Sequence, residues 1–293
     1  MRQGSQRLNA RYTLILLCLG VNQISSAGCR TTLARECELY ISSLRRCRIC
    51  KSSEITALKK QTECRMRSIL VTGGSGFIGS HTVVELLELG YRVVVYDNLT
   101  NSSMIVVERI FSIVGTVLKK AVPLEFVEGD IRDKSKLAEL FANHSFDCVI
   151  HFAGLKSLGE SYTSPLEYYN NNVFGTLCLC EAMREANVKT LIFSSSAVVY
   201  SDNSSLPYEE SMALGTISSP YGQTKAMVER MLADLCSTDD EWSVAALRYF
   251  NPIGAHKSGL IGEDPRGTPV NLPGGELFTA LKTGTIDATE WVS

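Results

Sequence analysis

Net charge is nearly absent from this sequence: 29 Lys and Arg stand against 31 Asp and Glu, leaving -2 at pH 7. That balance gives no reason to expect a nucleic-acid partner, whose phosphates call for clustered basic residues. Internal repeats and low-complexity tracts are missing, so no repeat architecture is indicated. The apolar run over residues 13–21 is far shorter than the ~20 residues a membrane-spanning helix needs, and no membrane span is expected. Metal-ligand spacing is lacking as well. His81, His144, His151 and His256 form no ligand pair, and the CxxC of Cys47 and Cys50 has no second pair to complete a zinc site. No metal is therefore expected, and His81 and His151 read as helix and strand-end residues. What is present is globular material. Hydrophobic residues at 45% and charged residues at 20% of 293 exclude wholesale disorder and allow one large α/β domain or two smaller ones.

Charge and cysteine are unevenly placed. Before Met66, twelve Arg and Lys face four acids; from Met66 onward the balance is seventeen to twenty-seven. Six of the ten cysteines fall in the same basic leader, residues 1–65, and the other four sit in apolar runs where they read as small hydrophobes. Basic residues, the apolar run 13–21 and the small residues Ser25, Ser26 and Ala27 resemble a secretory signal peptide. The Arg-rich, acid-poor character also suits an organelle transit peptide. A third reading is an upstream extension without a structural role, with Met66 as the natural first residue of the domain.

From Met66 to about residue 272 apolar runs alternate with helical windows. Strands are expected over 69–71, 93–96, 124–127, 147–152, 190–194 and 243–248, and helices over 80–89, 134–143, 168–186 and 221–235. Continuous apolar strands separated by helices predict a doubly wound parallel sheet covered on both faces, an α/β Rossmann fold. The expected organisation is the leader 1–65, a dinucleotide-binding domain 66–255 carrying the catalytic residues, and the start of a smaller substrate lobe with a divergent tail over 256–293.

Gly73, Gly76 and Gly79 lie three apart between the first strand and the first helix, where backbone N–H groups and a helix N-terminus receive a pyrophosphate. Asp97 ends the second strand about twenty residues on, placed to accept hydrogen bonds from an adenosine ribose and to repel a 2′-phosphate. NAD is thus expected in preference to NADP. Asn98-Leu99-Thr100 is a glycosylation sequon lying at this same place, which weighs against export and toward a cytoplasmic enzyme.

Ser219 and Pro220 are an N-cap and first helical residue, and Tyr221 and Lys225 follow on one face of that helix. A phenol titrates near ~10 and is a poor base at neutral pH, but an ammonium, a helix N-terminus and an oxidised nicotinamide would each lower that value. Ser194, Ser195 and Ser196 end the fifth strand, at the edge where parallel sheets meet their ligands.

Taken together these residues resemble the extended short-chain dehydrogenase/reductases, and within them the UDP-glucose 4-epimerase family. The likeness runs from Met66 to about Leu272 through Val71-Thr72-Gly73-Gly74-Ser75-Gly76-Phe77-Ile78-Gly79, Asp97-Asn98-Leu99, Gly129-Asp130-Ile131, His151-Phe152-Ala153-Gly154-Leu155-Lys156, Tyr168-Tyr169-Asn170-Asn171-Asn172, Ser194-Ser195-Ser196-Ala197 and Arg248-Tyr249-Phe250-Asn251-Pro252. It implies NAD held by Gly73, Gly76, Phe77, Ile78, Gly79, Asp97, Asn98, Asp130, Ile131, Phe152, Ala153, Gly154, Lys156, Asn171, Tyr221, Lys225 and Phe250. It implies interconversion of UDP-glucose and UDP-galactose through a 4-keto sugar in galactose metabolism. Tyr221 would take the proton from the 4-hydroxyl, Ser196 would hydrogen-bond the reacting oxygen, and Lys225 would hold the nicotinamide ribose and tune Tyr221. Asn251 and Asn271 would hold the UDP-sugar, and a homodimer is implied.

The chain departs from the family at Val198, where a Thr is usual, at Ser201, where a Gly is usual, and after Leu272, where the likeness stops and an unrelated tail begins. An incomplete substrate lobe, and with it NAD binding but poor turnover, is expected. Two other readings remain open. A sugar-nucleotide 4,6-dehydratase would need an acid pair where this chain has Ser196-Ala197-Val198; a non-catalytic NAD-binding fragment would lack turnover altogether.

Overall fold

Val93, Val94 and Val95 have no exposed surface, as a strand covered on both faces requires. In the computed structural model, which describes residues 66–118, 121–200, 207–210, 212, 214, 216–252 and 254–262, they form the middle of β2 (Arg92–Asp97). The other strands are β1 (Ser68–Thr72), β3 (Leu124–Glu128), β4 (Cys148–His151), β5 (Thr190–Ser196) and β6 (Ser243–Tyr249). All pair in parallel in the order β3-β2-β1-β4-β5-β6, so the order reverses between β1 and β4. A crevice opens at the carboxyl ends of strands on either side of such a reversal. The leader, Ser201, Asn271 and the tail lie outside the described residues.

The helices are α1 (Phe77–Glu88), α2 (Met104–Leu118), α3 (Lys134–Asn143), α4 (Leu158–Thr163), α5 (Pro165–Tyr168), α6 (Gly175–Glu185) and α7 (Pro220–Thr238). Caps set several of their starts: Asp133 accepts from Lys136 N at 3.0 Å and opens α3, and Ser219 accepts from Gly222 N at 3.1 Å and opens α7, with Pro220 in its first turn. The sequence reading places no helix between Asp97 and Leu124, yet α2 is there. Its polar Glu108, Arg109, Ser112 and Thr116 share one exposed face opposite the buried Val107, Ile110, Ile113 and Val114, a helical spacing that the sequence reading missed among the many β-branched residues. The single helix expected over 168–186 begins instead at Pro165, and the π-helical turn Tyr169–Phe174 interrupts it before α6. Such turns recur at functional sites.

A polar spine crosses the otherwise apolar core. His151 is 1% exposed; its Nδ1 lies 2.6 Å from Thr72 Oγ1 and its Nε2 lies 2.9 Å from Thr176 Oγ1, while Thr176 donates to Asn172 O at 2.5 Å. One donor per hydrogen is reached when Nε2 carries the proton and Nδ1 accepts from Thr72. Burial, and secondarily the Lys225 ammonium, pushes the imidazole down to about 3. The unfolded chain therefore binds a proton there that the folded one refuses between pH 6.5 and about 3, and stability falls as pH drops through that window. His151→Gln should flatten the acid limb of the stability–pH curve. An unchanged slope in denaturant melts would contradict this.

Candidate active site

Gly73 leaves β1 with φ +67°, in the left-handed region, and its N–H donates to Tyr96 O at 2.9 Å. A Cβ there would lie 2.5 Å from Ala153 N, because the turn after β1 and the loop after β4 touch through their backbones. A Cβ on Gly79 would strike Gly73 O, so the first turn of α1 also packs directly on this bend. No side chain caps the start of α1 at Gly76, and no acid lies in its first turn. Its N–H groups therefore face whatever the turn receives. Ser75 Oγ beside them is buried without a hydrogen-bond partner.

Asp97 is 6% exposed and has a role the sequence reading missed. Its Oδ2 accepts from Ser75 N at 3.0 Å, and its Oδ1 accepts from Leu99 N at 2.9 Å and Ser102 Oγ at 3.0 Å. It thus clamps the glycine turn, leaving about one lone-pair direction for a further donor. Next to it, Asn98 Nδ2 donates to Asp130 Oδ2 at 3.1 Å. Hydrogen bonds from the Arg132 guanidinium, opposed by burial, hold the Asp130 carboxyl down to about 2. Ile131 is buried in the core, Phe152, Ala153 and Gly154 are half-buried, and Lys156 is exposed.

At the end of β5 the expected trio comes together. The Tyr221 phenol lies near enough to the Ser196 hydroxyl to feel it, and Lys225 Nζ, 5% exposed as a residue, donates to Ser194 O at 2.8 Å. The ammonium lies 4.9 Å from the Phe193 ring centroid and 5.8 Å from that of Tyr221. Burial lowers Lys225 to about 8. Tyr221 departs from expectation: burial raises the phenol above its usual value, and the Ser196 hydroxyl opposes this only in part. Within the chain Lys225 gives its hydrogen bond to the Ser194 carbonyl rather than to the phenol.

Asn172 is the residue that sequence reasoning passed over in favour of its neighbour Asn171. Its Oδ1 accepts from Leu155 N at 2.8 Å, and its Nδ2 donates to Leu155 O at 2.9 Å and Thr224 Oγ1 at 3.1 Å. It ties the loop after β4 to α7, one residue from Lys225. Asn171 is buried and donates to Asn172 Oδ1 at 2.9 Å. Three consecutive Asn inside a helical window, where Asn is disfavoured, were the available signal. Phe250 and Asn251 are not gathered in with these groups: Phe250 is 63% exposed with its ring 6.2 Å from that of Tyr208, and Asn251 is exposed.

The arrangement can receive an anionic dinucleotide between β1 and α1 and place a phenol, a hydroxyl and an ammonium around one hydroxyl-bearing carbon. Comparison with known proteins agrees. The UDP-glucose 4-epimerase of Yersinia pestis is 58% identical over 204 residues, 70% of this chain and 59% of its own length. That of Bacillus subtilis (strain 168) is 54% identical over 205 residues, 70% of this chain and 58% of its own. Among solved structures, UDP-glucose 4-epimerase from Bifidobacterium longum in complex with NAD+ and UDP is similar at a TM-score of 0.65 and 48% identity, over 70% of this chain and 59% of that one. The chain thus spans about three fifths of the length of the curated relatives it matches. The profile that describes the NAD dependent epimerase/dehydratase family matches residues 69–265, and the chain belongs to that family.

Proposed function

We propose that this chain binds NAD+ in the crevice between β1 and β4 and interconverts UDP-glucose and UDP-galactose at Tyr221. The observation that carries the reading is the meeting of Tyr221, Ser196 and Lys225 at the end of β5, beside the loop after β4 that touches the turn of Gly73. The names of the relatives, and a related structure holding NAD+ and UDP, favour this substrate class over a dehydratase. The cofactor fits the residues present: uncapped N–H groups at the start of α1, a buried Ser75 hydroxyl in want of a partner, and a crevice edge made of glycine.

Bound NAD+ would supply a hydride acceptor at C4 of the sugar. The protein's own part is proton transfer and placement. Tyr221 takes the proton of the 4-hydroxyl, and Ser196 donates a hydrogen bond to the same oxygen. Lys225, with N–H donors beyond the one given to Ser194, holds the nicotinamide ribose. The positive charges of the ammonium and of the oxidised cofactor favour the phenolate against the burial that opposes it. Phe77, Ile78, Asp97, Asn98, Asp130, Ile131, Phe152, Ala153, Gly154, Lys156 and Asn171 would complete the cofactor site, and Phe250, Asn251 and Asn271 would face the UDP-sugar. Conversion of UDP-galactose to UDP-glucose tests the reading; a chain that binds NAD+ and both nucleotides yet converts neither would sink it.

Cofactor choice follows from Asp97. The buried carboxylate has room for a ribose hydroxyl and none for a phosphate of like charge. NAD+ should bind at least about tenfold more tightly than NADP+ in a fluorescence titration, since like-charge juxtaposition costs more than 1.4 kcal/mol. Equal affinities would contradict the assignment.

Residues 1–65 as a leader, 66–255 as the cofactor domain and 256–293 as the start of a substrate lobe complete the proposal, with a cytoplasmic homodimer as the working form. For the dimer, Met227 and Leu177 leave apolar surface uncovered on α7 and α6. For the cytoplasm, four body cysteines are free thiols, and the Asn98 amide that glycosylation would use is bonded to Asp130.

A further inference from the structure

Along α7 three side chains, each one turn from the next, meet three successive serines of β5. Tyr221 neighbours Ser196, Lys225 Nζ donates to Ser194 O at 2.8 Å, and Glu229 Oε1 accepts from Ser195 Oγ at 2.5 Å. The first two contacts belong to the site described above. The third has no part in it so far. Glu229 is not a solvated acid: its side chain is 9% exposed and that of its partner Arg248 is 18% exposed. Arg248 donates from Nε to Oε1 at 3.0 Å and from Nη2 to Oε2 at 2.8 Å, a two-pronged pair. The guanidinium also lies 4.8 Å from the Tyr200 ring centroid. A buried ion pair is weak evidence for stability, because packed apolar residues of similar volume often serve as well. What this pair does geometrically is join α7, the end of β5 and the end of β6 at one oxygen.

We propose that Glu229 is a positioning residue for the Tyr221–Lys225 site: by holding Ser195 it fixes the strand end that presents Ser196 to Tyr221 and the Ser194 carbonyl to Lys225. The inference deepens the functional reading above and rests on it for its catalytic meaning. Ser195 is 2% exposed, so its hydroxyl has little water to turn to if the carboxylate is lost. A strand end that relaxes to find another acceptor carries both neighbours with it. A misplacement of about 1 Å can cost a hundredfold in rate.

The Lys225 ammonium reports the strand end without any need for turnover, through a carbon-13 NMR titration of its Cε assigned against Lys225→Arg. The groups around it are the Ser194 carbonyl, the rings of Phe193 and Tyr221, and the neutral His151. Ser195→Ala removes the bond and leaves the Glu229–Arg248 pair whole. In an Arg248→Met background, which avoids a buried unpaired guanidinium, Glu229→Gln keeps an acceptor for Ser195 and Glu229→Met does not. The Lys225 midpoint should fall by about one pH unit in Ser195→Ala and in the Met double variant, since the charged form loses its carbonyl, and should recover in the Gln double variant. An unmoved midpoint with only a lowered melting temperature would overturn the proposal, as would a Gln variant that behaves like the Met one. NAD+ titration of the unsubstituted chain judges the functional reading separately, and its failure would leave the Lys225 result readable.

Discussion

Tyr221→Phe should lower the interconversion of UDP-glucose and UDP-galactose by roughly 10²–10⁴-fold, the span that a single general acid–base group contributes. The ring would keep its place: it meets the Tyr168 ring edge-on at 6.4 Å and heads the first turn of α7, whose cap, Ser219, is untouched. Only the oxygen beside Ser196 is lost. NAD+ binding should consequently stay near that of the unsubstituted chain, which separates this variant from one that damages the crevice. Near-normal turnover in Tyr221→Phe would remove the phenol from the chemistry and transfer the proton to another group.

Gly73→Val should weaken cofactor binding instead. The left-handed backbone at φ +67° costs a side chain about 1–2 kcal/mol, and a Cβ placed 2.5 Å from Ala153 N must push the β1 turn away from the loop after β4 at a further ~1–3 kcal/mol. The two together, near 3 kcal/mol, weaken NAD+ binding by about a hundredfold or more if the crevice absorbs them. Gly90→Ala is the control. Its φ of +89° gives comparable strain, but nothing lies within 4 Å of the added Cβ, so it should lower the melting temperature and spare NAD+ binding. Equal losses of binding in both variants would show that Gly73 matters through stability alone.

The sheet was legible because its strands are continuous runs such as Val93, Val94 and Val95, a pattern that a twice-covered strand requires and few other elements tolerate. The helix from Lys134 to Asn143 was legible because Asp133 caps it and Leu137, Leu140 and Phe141 recur on one face. Helix α2 was not read, although Val107, Ile110, Ile113 and Val114 recur on one buried face, because its many β-branched residues suit a strand as well. The catalytic pair could be read from Tyr221 and Lys225 on one helical face after a Ser-Pro cap. Their electrostatics could not, because the destination of the Lys225 bond, the Ser194 carbonyl, is contributed by a strand thirty-one residues away. The same holds for Asp97: its place at a strand end is local, but the three donors it gathers come from two separate turns. The roles of Asn172, Glu229 and Arg248 were invisible for one reason. Each is a polar residue whose meaning lies entirely in a partner across the fold.

The central claim is that Tyr221 moves a proton while the hydrogen on C4 travels as hydride and returns to the same sugar. Incubating the chain, loaded with NAD+, with UDP-galactose in deuterium oxide tests it most directly. UDP-glucose should accumulate above the level given by Tyr221→Phe, with ordinary hydrogen retained at C4. Deuterium at C4, or no UDP-glucose beyond that control, would contradict the account.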